Sequence, residues 1–155
     1  ITKGISGGLD ENIIYRVESM KTGLRVFAAN PLLGIGVRQF REVKGEYGFY
    51  MPGSMGPAHN MYIEVLTGLG LLGFVPFLVI LALNWRDLRK AFHSTQSLSS
   101  TLRAISLVLL AGYTGFLAAA WFTSTETKKI FWLLLACGTV ISHLVRSTGS
   151  ETRPS

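Results

Sequence analysis

A histidine and an asparagine, His59 and Asn60, stand at the start of a long apolar run, and Glu64 follows one turn inside it. Ahead of them, Arg16, Lys21, Arg25 and Arg38 are spread along a polar segment. These residue types suit one kind of chemistry. An imidazole with an ordinary pKa near 6.5 is largely neutral at pH 7 and can take a proton. An arginine fork stays charged and binds phosphate oxygens two at a time. A carboxylate within an apolar span needs a partner or a wet cavity. Each residue also has a plainer role. His59 and Asn60 can cap an interfacial helix, the cations can be solvated or reach up to lipid headgroups, and Glu64 can serve a structural pairing.

The elements that must position these residues follow from composition. Of the 155 residues, 48% are hydrophobic and 15% charged, against about 25% charged in a soluble domain, and the mean hydropathy is +0.37. The apolar residues concentrate after residue 60. The sequence therefore predicts an all-α, polytopic membrane protein with a polar N-terminal part over 1–58 and three transmembrane helices within 59–146. The spans are expected near 60–84, 104–123 and 130–145, with a loop over 85–103 and a tail over 147–155. Pro76 is expected to kink the first span mildly.

Within the polar part, residues 1–10 are Gly-rich and read as a loop. Ile13, Ile14, Val17, Met20, Leu24, Phe27 and Ala28 recur at helical spacing and predict an amphipathic helix over 11–29. Asp10 or Asn12 can cap it, and Asn30-Pro31 stops it. Arg16 flanks the apolar stripe on one side, and Lys21 with Arg25 flanks it on the other, an arrangement suited to a membrane interface. A short helix is expected between Val37 and Val43. The Gly- and Pro-rich stretch 44–58 reads as an irregular loop, long enough to suggest function.

The basic excess at Arg86, Arg89, Lys90 and Arg103 predicts a cytoplasmic 85–103 loop and a cytoplasmic tail. Residues 1–58 then lie outside, where their seven Lys and Arg call for an anion to bind. The net charge of +6 is thereby explained without nucleic acid. Cys137, the single cysteine, has no disulfide partner and reads as packing. His93 and His143 read as solvated and interfacial. Gly68, Gly70 and Gly73 suggest close helix packing. No Ser-His-Asp set, nucleotide loop or metal-ligand spacing is present.

Arg16 on a helix, then "NPLLGIG", an irregular loop, and "AHN.Y.E.L...GLLGF" leading into a span form an ordered set over about 14–80. This set resembles the C-terminal region of the O-antigen ligase and O-antigen polymerase family, the Wzy-like and WaaL-like bacterial membrane proteins. The resemblance implies a metal- and cofactor-independent glycosyltransferase of the GT-C type in the bacterial inner membrane, with its active-site loop on the periplasmic side. It implies an undecaprenyl-diphosphate-linked glycan as donor and a sugar, a lipid A-core or in some relatives a protein as acceptor. Arg16 and His59 match the family's Arg and His, and Asn60 follows the His as usual. Two positions differ from the common pattern: Met20 where a Trp is frequent, and Gly68 where an acidic residue is frequent. On this basis Arg16 is expected at the diphosphate and His59 at the acceptor hydroxyl. Lys21, Arg25, Arg38, Asn60 and Glu64 are further candidates for binding substrate.

The contrasting expectation is a non-catalytic transporter or scaffold segment whose external loop binds a partner. The chain opens at Ile1 without a signal peptide, as a C-terminal piece of a longer protein would. Family members have many spans, so upstream helices are expected to complete a donor groove, and the 155 residues alone are expected to be inactive. Transfer by the purified 155-residue chain would refute that expectation.

Overall fold

The computed structural model describes residues 3–49, 58–94, 100–124 and 128–151, with side chains from residue 13 to residue 147 of these. Among the described residues there are five helices and no strand: α1 (Lys3–Ala29), α2 (Phe40–Val43), α3 (Met61–Ser94), α4 (Ser100–Ala119) and α5 (Lys129–Glu151). The protein is all-α, and α3, α4 and the Lys129–Ser147 part of α5 are long and apolar enough to cross a membrane. The chain forms two compact units. One comprises residues up to Pro76 with Ala120–Glu126, and the other Phe77–Ala119 with the segment from Thr127 onward.

In the first unit, α1 begins at Lys3, ahead of the expected start near residue 11, so neither Asp10 nor Asn12 caps it. The glycines at 4, 7 and 8 suggest a loop, yet glycine's helix penalty of about 1 kcal/mol is only a local preference. The helix does stop where Asn30-Pro31 predicts. Asn30 donates its backbone N–H to the carbonyls of Val26 and Phe27, and its side-chain amide to Val26 and to the Tyr47 hydroxyl.

The predicted apolar stripe of α1 does not face the unit's core. Ile13, Ile14, Val17 and Leu24 are exposed, while Ser19, Thr22 and Val26 are fully buried. The reason is close approach: a Cβ on Gly23 would run into the Ile63 side chain, so the small-residue face meets α3. Val26 joins Phe40 of α2 and Ala58 in a small core, with Ile35, Val43, Tyr47 and Ile63 packed around it.

Helix α3 is interrupted at Gly70 (φ 59°, ψ −166°), six residues before Pro76, the expected kink. The interruption is filled by the "NPLLGIG" loop. The Ile35 and Gly36 N–H groups donate to the Thr67 and Gly68 carbonyls at 2.9 Å each. In return, the Leu71 and Leu72 N–H groups donate to the Pro31 and Leu32 carbonyls at 2.8 and 3.1 Å. A helix break strands carbonyls on one side and N–H groups on the other; here one loop satisfies both. Two glycines make this contact feasible. A Cβ on Gly34 (φ 68°) would lie 2.5 Å from the Thr67 carbonyl oxygen, and one on Gly70 would strike the Leu32 carbonyl. Gly68 and Gly70 thus serve a loop–helix contact rather than the helix–helix packing expected of them.

In the second unit, α3 continues helically to Ser94 and α4 starts at Ser100, so all of the described part of the predicted 85–103 loop is helix; residues 95–99 lie outside the described segments. Asn84 donates to the Leu135 carbonyl (3.0 Å) and the Thr139 hydroxyl (3.2 Å) of α5. The buried Tyr113 hydroxyl of α4 donates to the Leu81 carbonyl. Phe116 stacks on Phe131 at 5.6 Å, and Arg146 pairs with Asp87 at 2.9 Å. α5 continues as far as Glu151, into the predicted tail.

Candidate functional site

α4 ends at Ala119, not at the expected residue 123. The next residues join the first unit, where three successive carbonyls are used. Ala120 accepts from the Met61 N–H at 2.9 Å, Trp121 from the Asn60 amide at 3.1 Å, and Phe122 from Arg16 at 3.2 Å. This backbone row ties Arg16 of α1 to the start of α3. Nothing in "AAWFT" distinguishes it from a continuing apolar helix, so this wall of the site could not be read from the sequence.

His59 sits between two anchors. On its N-terminal side, the Ala58 N–H donates to Glu64 Oε1 at 2.6 Å. On its C-terminal side, Asn60 is fully buried and doubly used. Its Oδ1 accepts from the Ile63 N–H at 3.1 Å, which caps α3, while its Nδ2 reaches Trp121. Between these anchors His59 adopts φ 53°, a left-handed conformation uncommon for non-glycine residues. Such strain persists where the surroundings over-determine it, and it clusters at functional sites.

The His59 ring is partly buried and packs edge-on against Tyr15 at 5.6 Å. Tyr15 also meets Phe49 edge-on at 5.3 Å. Lys44 closes the group. It is 5% exposed, donates to the Tyr15 hydroxyl at 3.2 Å, and lies 4.5 Å from the centre of the Phe49 ring. An ammonium held against aromatic faces is attracted by their quadrupoles. Burial lowers the His59 pKa below its ordinary value, and the nearby charges of Arg16, Lys44 and Arg41 lower it further. Burial and the three cations thus favour the neutral imidazole, and the same cations can attract an anion.

The candidate residues divide accordingly. Arg16, His59, Asn60 and Glu64 come together at this lip. Arg25 is tied to the Tyr47 carbonyl at 3.3 Å and braces the 44–49 turn. Lys21 pairs with Glu18 at 2.8 Å on the exposed side of α1, and this contact holds the Glu18 carboxyl below its usual range. Arg38 is exposed on the loop after "NPLLGIG", with φ 66°. Tyr15, Arg41 and Lys44 were not among the sequence candidates. The signal available for Lys44 was its place just ahead of Tyr47 and Phe49; nothing local marked Tyr15. Residues 50–57 of the expected loop lie outside the described segments.

No curated protein and no solved structure matches the chain. The model of one family does, O-antigen ligase, over residues 1–78. That stretch holds α1, the "NPLLGIG" loop, α2, the histidine and the broken first part of α3, which are the parts that build the lip. By this match across half of its length, the chain belongs to the O-antigen ligase family.

Proposed function

We propose that the protein transfers a glycan from an undecaprenyl-diphosphate-linked donor to a hydroxyl of a sugar or lipid A-core acceptor, at the outer face of the bacterial inner membrane. The observation that supports this best is His59, fixed in a left-handed conformation between the Ala58–Glu64 and Asn60–Trp121 hydrogen bonds, at the lip that also holds Arg16. His59 accepts the acceptor's hydroxyl proton. The freed oxygen forms a bond to the anomeric carbon, and the bond from that carbon to the phosphate oxygen breaks. The electron pair leaves with the diphosphate, whose charge Arg16 stabilises. One of the five donors of its guanidinium is held by Phe122, which aims the fork. Direct displacement inverts the anomeric centre. Asn60 and Glu64 hold His59 rather than bind substrate, and Lys44 and Arg41 add positive potential.

A purely partner-binding loop would need no base in a strained conformation beside three cations. The assignment is tested on Arg16 in the intact membrane-embedded protein. Arg16→Ala weakens binding of undecaprenyl diphosphate by at least about tenfold, and Arg16→Lys restores it in part, since a point charge replaces the fork. Unchanged binding by Arg16→Ala overturns the role given to Arg16.

A further inference from the structure

Loops that face water are polar, yet the loop that fills the α3 break carries exposed Leu32 (61%), Leu33 (75%) and Val37 (56%). Four of its backbone groups face the other way, into the break, where the Ile35 and Gly36 N–H groups and the Pro31 and Leu32 carbonyls exchange hydrogen bonds with α3. A segment with four backbone groups paired inward and its leucines turned outward suits the edge of an apolar solvent. Irregular backbone is not tolerated against lipid within the hydrocarbon core, so the loop itself belongs at the interface, where water reaches its remaining backbone groups and only its apolar side chains point into the membrane.

Depth follows from the sequence of α3. Between Glu64 and Arg86 lie twenty-one uncharged residues, within the Met61–Ser94 stretch that is long and apolar enough to cross a membrane. Gly70 is six residues past Glu64, so the break lies within about the first two turns of the uncharged run. His59 precedes Glu64 and the first helical residue, Met61, and so lies outside the uncharged run. Leu71 and Leu72 of α3, whose N–H groups bond to the loop, are exposed as well. Exposed Arg38 follows directly after Val37, where a long cationic side chain can reach back to the phosphates.

We infer that the Pro31–Val37 loop is a membrane-inserted wedge, with Leu32, Leu33 and Val37 among the acyl chains of the leaflet that faces His59. Held there by four backbone hydrogen bonds to α3, it fixes the height of the site above the hydrocarbon. Other occupants, a second copy of the chain or another protein segment, would leave the loop shielded from lipid and water alike.

The test needs no knowledge of what His59 does. With Cys137→Ser as background, Leu33→Cys, Val37→Cys, Leu72→Cys and Glu46→Cys are each labelled with bimane. The proteins are reconstituted in phosphatidylcholine vesicles with acyl chains brominated or not. The wedge predicts strong quenching by brominated lipid and little by iodide at Leu33 and Val37, as at Leu72, with the reverse at Glu46. Quenching by iodide at Leu33 and Val37 to the extent seen at Glu46 would overturn the inference, and so would protection of both positions from both quenchers. Val37 keeps the test decisive if the Leu33 variant fails to insert.

Discussion

Substituting Gly70 by alanine tests the joint on which the site rests. The Gly70 torsions (φ 59°, ψ −166°) fall in a region essentially restricted to glycine, which costs another residue about 1–3 kcal/mol. The new Cβ would strike the Leu32 carbonyl and press on the Gly34 backbone. Neither atom is the end of a flexible side chain, so the loop must move. Each of the four hydrogen bonds between loop and helix is worth about 1 kcal/mol net. If the loop leaves its seat, the total loss is about 5–7 kcal/mol, comparable to the whole stability of many proteins. Scanning fluorimetry of the detergent-solubilised protein, followed through its tryptophans, should show a large drop in the unfolding midpoint or poor recovery. Gly112→Ala is the control. A Cβ there meets nothing within 4 Å, and inside a helix the change is neutral or stabilising by up to about 1 kcal/mol. If Gly70→Ala melts with the parent, as Gly112→Ala should, the reasoning about the joint is refuted.

Further expectations concern the site and the second unit. His59 must be neutral to act as a base, and its pKa is lowered, so transfer should persist at the ordinary value near 6.5 and fall away only as the pH drops through the lower value. Arg41→Gln removes one of the depressing charges and should move that acid limb to higher pH, while an unmoved limb would show that another group titrates. Asn60→Ser keeps a capping oxygen for the Ile63 N–H but loses the amide that reaches Trp121. It should therefore be less destabilised than Asn60→Ala, which loses a cap worth about 1 kcal/mol as well, and equal melting of the two would contradict the double role. Asn84→Leu removes two hydrogen bonds between α3 and α5 and should lower stability by about 0.6–2 kcal/mol, measured by unfolding in mixed micelles.

The three helices long and apolar enough to cross a membrane were legible because long uncharged runs have few alternatives. The end of α1 was legible because a proline cannot continue a helix. His59, Asn60 and Glu64 could be picked out because polar residues at the start of an apolar run need a reason. Other features were hidden by physics that is not local. Spacing predicts that α1 is amphipathic but not which way it turns; the close contact at Gly23 points its apolar stripe outward. The glycines of "NPLLGIG" and those near Gly70 are partners across a sequence gap, and only the backbone contact shows it. Ala120–Phe122 looks like the last turn of a span, yet its carbonyls are taken by Met61, Asn60 and Arg16. Lys44 and Tyr15 gain their place from an aromatic cluster assembled from α1 and the turn after α2.

The most direct measurement is the rate at which undecaprenyl diphosphate is released from a lipid-linked glycan in the presence of acceptor, by the intact membrane-embedded protein and its His59→Ala variant. General-base assistance is worth about 10²–10⁴-fold. A loss of that size is expected, with membrane level and diphosphate binding unchanged, because Arg16 and the Phe122 carbonyl that holds it remain in place. A His59→Ala rate within a few-fold of the parent would contradict the central claim, and His59 would then be a strained structural residue rather than the base.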